Sequence, residues 1–221
     1  MAKSMIIKEL ANSEIDTVTA LKRLKILLFN LDKTELNDWV NCELNGYKDI
    51  KTIPPYRRFR GSLNANFVIG NSVHLAKYTN TPITTANLPD NIRDAIEEVV
   101  FYESIAAINS MKGQELGKII SPEFYGYLTK GTNISSIISA RVNINNYAPV
   151  EVIAAVENRV LEILVLLEKE FGNLDDLDIN YDLKTKQELQ KVCDQIINII
   201  YVDKSISIGD DNKIAKTDIC S

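Results

Sequence analysis

The chain has 221 residues, of which 45% are apolar and 25% charged, and a formal net charge of -5. This is the composition of a globular protein long enough for one large domain or one domain with an appendage, and it excludes disordered and collagen-like chains. The net charge excludes a global field for nucleic acid, although residues 1–60 carry +3 against -8 for residues 61–221, which leaves room for a local basic site near the front.

In chain order, residues 4–12 read as a short helix. From about Ile15 to Leu31 the apolar residues Ile15, Val18, Leu21, Leu24, Leu28 and Leu31 recur at helical spacing. Asp32, with Glu35 three residues on, has the arrangement of a helix cap, and Leu36, Trp39, Val40 and Leu44 form the next stripe. Asn45 and Gly46 stop it, so the front of the chain is expected to be a helical hairpin. Ile53-Pro54-Pro55 breaks the helical pattern. The period then changes to two: Phe59, Leu63, Ala65, Phe67 and Ile69 point one way and Arg58, Arg60, Ser62, Asn64 and Asn66 the other, as in a half-buried strand bent at Gly61. Gly70-Asn71 suits a hairpin loop, with a return strand from Ser72 to Thr79.

A long helix is expected from Asp90 to Met111, with Ile92, Ala95, Ile96, Val99 and Ala106 inward. Residues 121–131 read as a short helix or turn. A third strand places Ile138, Ala140, Val142 and Ile144 on one face and Ser139, Arg141, Asn143 and Asn145 on the other. Pro149 opens a helix that Gly172 closes, apolar almost all round through 160–167 and therefore expected to be central. One more helix spans Lys184 to Val202, and short β-like pieces follow from Ser205. The expectation is an α+β fold: an N-terminal helical hairpin, a small three-stranded antiparallel sheet packed on long helices, and a C-terminal β-like tail. Residues 1–172 form the main domain, 173–204 an acidic linker with a helix, and 205–221 a tail for oligomerisation.

Cys42, Cys193 and Cys220 are odd in number and widely spaced, which displays neither a disulfide framework nor a zinc pattern; free thiols fit a reducing cytosol. The start lacks the apolar run of a signal peptide, and no stretch reaches the roughly 18 apolar residues of a membrane span. A cytoplasmic protein without membrane contact is expected. The single histidine, His74, falls on the polar side of the return strand, and no phosphate loop or nucleophile elbow occurs. No catalytic set, cofactor or metal site is assigned.

Three constellations carry what chemistry there is. Tyr56, Arg57, Arg58 and Arg60 make a basic, aromatic-interleaved cluster suited to a phosphate or nucleic-acid backbone, or to a charged strand edge, with Arg57 in the inward row where it can pair with an acid. Asp94 and Glu98 share a helix face, as metal-binding carboxylates or as a solvated face. Glu103 continues the inner stripe and needs a partner there, for which Arg159 is the candidate in a structural ion pair.

Several segments together resemble the AbiTii family of bacterial abortive-infection proteins. The front match is Trp39-Val40-Asn41-Cys42-Glu43-Leu44-Asn45-Gly46-Tyr47, followed by Pro54-Pro55-Tyr56-Arg57. The second is Ala155 to Glu162, including Asn158 and Arg159, where Glu157 stands in place of the family's first arginine. The third is Ile208-Gly209-Asp210-Asp211-Asn212-Lys213-Ile214. The resemblance implies defence against bacteriophage. It supplies no catalytic residues to carry over.

The leading expectation is therefore a non-enzymatic defence protein that binds a phage component or nucleotide signal and forms a homo-oligomer through Ile206, Ile208 and Ile214 of the tail. One alternative is a toxin enzyme such as a metal-dependent nuclease using Asp94, Glu98, Glu103 and the arginine cluster. Another is a nucleic-acid- or nucleotide-binding module without catalysis.

Overall fold

In the computed structural model, which describes residues 3–29, 31, 33–71 and 73–201, the leading apolar stripes become α1 (Met5–Ala11), α2 (Thr17–Leu28) and α3 (Thr34–Asn45). Asp16 starts α2 by accepting a hydrogen bond from the Thr19 backbone N–H at 2.6 Å. Leu21, Leu24 and Leu28 then fall on one stripe and are fully buried. The cap expected at Asp32 lies outside the described residues. Gly46 ends α3 with a φ of +93°, and a Cβ there would meet the Tyr102 carbonyl oxygen at 2.9 Å. Glycine is needed for both the conformation and the close approach.

The helices assemble around α7 (Ala148–Phe171), whose Val152, Val156, Val160, Ile163, Leu164 and Leu167 are fully buried. Helix α8 (Lys186–Tyr201) adds Val192, Cys193, Ile196 and Ile200 to the same core, together with Leu174, Ile179 and Tyr181 from the preceding segment. Packing is thus continuous across Gly172, where the sequence reading set a boundary. Helix α7 is central, as its composition implies, yet Val165 is 38% exposed.

A 3-10 turn, Pro55–Arg57, leads into β1 (Arg58–Arg60) and β2 (Ser62–Gly70). Gly61 separates them because a Cβ would meet Val142 Cγ1 at 2.4 Å and the Asn143 carbonyl oxygen at 2.6 Å. Strand β2 pairs with β3 (Leu75–Pro82) and β6 (Ile134–Ile144), and β6 pairs with β5 (Leu116–Ile119), all antiparallel in the order β3-β2-β6-β5. The chain is an α+β protein, but with four strands in the main sheet where three were expected. Its inner face, Leu63, Ala65, Phe67, Ile137, Ala140 and Val142, packs on Ile96 of α4 (Asp90–Glu97) and Leu128 of α6 (Tyr125–Thr129).

Three local expectations change. The 90–111 helix is broken: Glu98–Val100 form β4, which pairs with β1, and Ser104 caps a separate α5 (Ile105–Ser110). The β-branched pair Val99-Val100 meets a waiting partner strand, and that pairing overrides the helical period. In β6 the register against β2 passes from Ser139 to Ile137 and skips Ile138, a bulge that leaves Ile138 55% exposed and turns Ile137 inward. The hairpin turn falls later than Gly70-Asn71: Gly70 pairs with Leu75, and the Asn71 N–H donates to the His74 carbonyl. Among the described residues no helix is long and apolar enough to cross a membrane.

Candidate functional site

Trp39 and Val40 put one face of α3 into the core, and Glu43, four residues after Trp39, follows them there. Its side chain is fully buried, and so is that of Arg57. The two form a forked ion pair, with Arg57 Nη2 donating to Glu43 Oε2 at 2.5 Å and Nε to Oε1 at 3.2 Å. Glu43 Oε1 also accepts from the Tyr47 hydroxyl at 2.7 Å and the Tyr56 hydroxyl at 2.6 Å. Trp39 Nε1 donates to the Tyr56 oxygen at 2.9 Å. Arg57 Nη1 completes the set by donating to the carbonyls of Phe101 and Glu103, at 3.1 and 2.8 Å.

The electrostatics follow from burial. Both tyrosine hydroxyls are pushed well above the ordinary tyrosine range, first by desolvation and then by the adjacent Glu43 carboxylate. Burial opposes the charge on Arg57, but Glu43, Tyr47 and Tyr56 outweigh it and hold the guanidinium more firmly protonated than usual. Among the described residues no buried side-chain polar atom lacks a hydrogen-bond partner. The network joins α3, the 3-10 turn and the 101–103 segment, so it can fix their mutual orientation.

The other candidate residues are distributed differently from expectation. Glu103 and Arg159 are not paired. The break after α4 places Glu103 in an exposed loop, whereas Arg159 Nε donates to the Ile200 carbonyl at 3.1 Å and its guanidinium lies 4.2 Å from the Tyr56 ring centroid. Asn158 sits on the exposed side of α7. Of the basic cluster, Arg57 and Tyr56 point into the network. Arg58 faces Glu98 at 3.1 Å, and Arg60 faces Asp94 at 2.5 Å and Glu97 at 3.1 Å. Arg58 and Arg60, candidates for a phosphate or for a charged strand edge, are matched by carboxylates from α4 and β4. The tail residues Ile206, Ile208 and Ile214 lie outside the described residues, and His74 is exposed as expected.

Two surface concavities bear on these candidates. Asp94, Glu98 and Glu103 line a cleft of about 520 Å³ with Lys118. The Lys118 ammonium donates to the carbonyls of Ala95 and Glu98, at 2.8 and 2.5 Å, and burial lowers its pKa. No group of three or more His, Cys, Asp or Glu among the described residues is placed to hold a metal ion.

The larger concavity, about 840 Å³, lies on the polar face of the four-stranded sheet and is lined by Asn64, Asn66, Asn80, Asn143, Asn145 and Asn146. Ser139 and Arg141 stand among them. Several of these carboxamides are held in place: Asn66 donates to Ser139 Oγ at 2.8 Å, accepts from the Asn80 N–H at 2.8 Å, and Asn64 donates to Asn80 Oδ1 at 3.1 Å. Asn80 has a φ of +47°, a conformation asparagine tolerates. Arg141 is exposed and donates to the Glu115 carbonyl across 3.4 Å. Such a surface can read paired donors and acceptors on a bound molecule. Strand alternation already puts Asn64, Asn66, Asn143 and Asn145 in the outer row; it carries no signal that the row is concave.

The AbiTii family model matches residues 4–196. No curated protein and no solved structure matches the chain.

Proposed function

The chain belongs to the AbiTii family of bacterial abortive-infection defence proteins, and from that premise we propose that it acts by binding and self-assembly, without catalysing a reaction. The observation that carries this reading is the saturation of the family signature. Glu43 and Arg57, the two charged groups of its front segment, are fully buried and engaged with each other, two tyrosines and two backbone carbonyls. Groups so engaged hold the fold, and recognition then falls to the surface.

The carboxamide groove supports the binding half. Its fixed donors and acceptors suit the edge of a nucleobase or an extended polypeptide, and Arg141 can meet a phosphate. These are the chemistries of a nucleotide signal or a phage protein, encountered in the cytoplasm. The self-assembly half draws on β3, an edge strand along which Leu75 and Tyr78 are 64% and 42% exposed, and on the branched residues Ile206, Ile208 and Ile214. The test is mass spectrometry of small molecules, nucleic acid and protein co-purified with the full chain from phage-infected cells. A species retained by the wild type, and lost with phage protection in Arg141→Ala/Asn143→Ala at unchanged thermal stability, supports the reading. Full protection by that variant removes the groove from it.

A second reading, a metal-dependent nuclease, draws only on Asp94, Glu98 and Glu103 sharing one cleft, where they do not form a three-ligand metal group. Incubation with magnesium or manganese and RNA or DNA tests it. Cleavage lost in Asp94→Ala and Glu98→Ala supports an enzyme; no cleavage, or cleavage indifferent to these changes, dismisses it.

A further inference from the structure

We propose that the carboxamide groove takes an adenine nucleotide, with its phosphate on Arg141 and the edge of its base on Asn64 and Asn80. This ligand rests on the reading that the groove is the recognition surface, and names its chemistry. The phosphate end follows from the charges. Arg23, Arg57, Arg58, Arg60 and Arg93 each meet a carboxylate, and half-buried Arg159 donates to two carbonyls. Among the described residues Arg141 is the exposed arginine that no carboxylate neutralises. Its guanidinium reaches toward the Glu115 carbonyl over Gly117. A Cβ on Gly117 would run into the Val142 carbonyl oxygen and stand 2.9 Å from Arg141 Nε and 3.1 Å from Asn143 Oδ1. The glycine therefore lets a cation and a carboxamide oxygen converge on the groove floor. The cation holds a phosphate, and the oxygen accepts from a ribose hydroxyl.

The base end follows from the strand register. Ile119, 79% exposed, stands two residues beyond Gly117 on β5, about 7 Å on, an interval that a ribose bridges. Its branched side chain offers an apolar seat to one face of a purine. Ile119 pairs with Arg141 on β6, and Arg141 pairs with Asn64 on β2, so a purine laid across β6 from Ile119 turns its edge toward Asn64 and Asn80. Asn64 Nδ2 donates to the backbone carbonyl of Asn80 at 3.3 Å and to its Oδ1 at 3.1 Å. This leaves Asn64 Oδ1 facing the ligand as an acceptor and Asn80 Nδ2 as a donor. Adenine carries the complement, an N6 amine beside a ring nitrogen. Guanine and hypoxanthine place a carbonyl oxygen where that amine stands, opposite Asn64 Oδ1. An extended polypeptide matches Arg141 only where an acidic residue falls in one register, whereas every nucleotide carries the anion.

Titration calorimetry of the full chain with adenosine monophosphate, inosine monophosphate and adenosine tests this ligand. Adenosine monophosphate is expected to bind roughly tenfold more tightly than either of the others, the effect of one mispaired base edge or one lost charge-assisted contact. Arg141→Ala is expected to bring adenosine monophosphate down to the affinity of adenosine and to leave adenosine itself unchanged. Equal affinity for the adenine and hypoxanthine nucleotides overturns the base assignment, and a preference for the nucleotide over adenosine that survives Arg141→Ala overturns the phosphate assignment. A six-residue oligoadenylate separates the two sources of the same chemistry: tighter binding than adenosine monophosphate marks RNA, equal or weaker binding marks the free nucleotide, and either bears the proposal out. No binding of adenosine monophosphate or oligoadenylate overturns it. In that case, loss of phage protection in Arg141→Ala/Asn143→Ala leaves the groove as a recognition surface for a polypeptide. Nucleotide binding by the wild type with full protection by that variant does the reverse, keeping the ligand and removing the groove from defence.

Discussion

Replacing Arg57 with methionine is the sharpest perturbation of the buried network. The change keeps most of the side-chain length and removes the charge. It leaves the Glu43 carboxylate at zero exposure with two tyrosine donors and no cation. Breaking a buried ion pair in this way costs about 3–5 kcal/mol. The carbonyls of Phe101 and Glu103 lose their donor as well, which adds about 1 kcal/mol apiece where water cannot replace it. A total of about 5–7 kcal/mol is a large share of the stability of an ordinary domain. Urea unfolding followed by fluorescence reads it directly, because Trp39 is the only tryptophan and donates into the network. With a slope of about 2 kcal/mol per molar, the midpoint falls by at least about 2 M. Arg57→Lys is expected to lose nearly as much, since an ammonium cannot reproduce the fork onto Glu43. The double variant Glu43→Leu/Arg57→Met recovers only part, because the Tyr47 and Tyr56 hydroxyls and both carbonyls still lose partners. A loss below about 1 kcal/mol in Arg57→Met would refute the assignment of this pair as the fold's keystone.

Other outcomes follow from the same geometry. Tyr47 and Tyr56 stay protonated in the fold while the unfolded chain ionises near pH 10, so stability declines as pH rises above about 10. Tyr47→Phe/Tyr56→Phe should flatten that decline in alkaline unfolding curves. The Glu168 carboxylate accepts from Lys3 Nζ and from the Ser4 N–H and hydroxyl, contacts that outweigh its desolvation and lower its pKa from 4.5 to about 2. Its contribution, about 1–3 kcal/mol, is complete above pH 4.5 and lost as pH falls toward 2; Glu168→Gln should remove that slope from acid denaturation. Gly46→Ala is expected to cost about 1–3 kcal/mol by thermal denaturation, from its φ of +93° and the 2.9 Å approach to the Tyr102 carbonyl.

Much of the fold was legible because period alone decides where an apolar stripe is long. The spacing from Ile15 to Leu31 yields α2 within two to three residues at each end, and the apolar run after Pro149 yields the central α7. Period fails where a distant strand competes. Val99 and Val100 fit the helical stripe, yet β1, some forty residues earlier, takes them into a ribbon. That break also undid the Glu103–Arg159 pair, which assumed one continuous helix. The pair that forms, Glu43–Arg57, left two separate traces: Glu43 stands one turn after Trp39 on a buried stripe, and Arg57 falls in the inward row. Neither position says that the two meet, because they stand fourteen positions apart with a proline break between them. The exposed Ile138 shows the same limit in β6, since a bulge reverses parity without marking the sequence.

The central claim is that the signature charges serve the fold and take no part in a reaction. Phage protection by Glu43→Gln, measured beside its folded fraction over a range of growth temperatures, tests it most directly. Protection that tracks the folded fraction, and returns in full at temperatures where the variant is as folded as the wild type, is the predicted result. A variant fully folded by Trp39 fluorescence yet without protection would contradict the claim and assign the carboxylate a direct role.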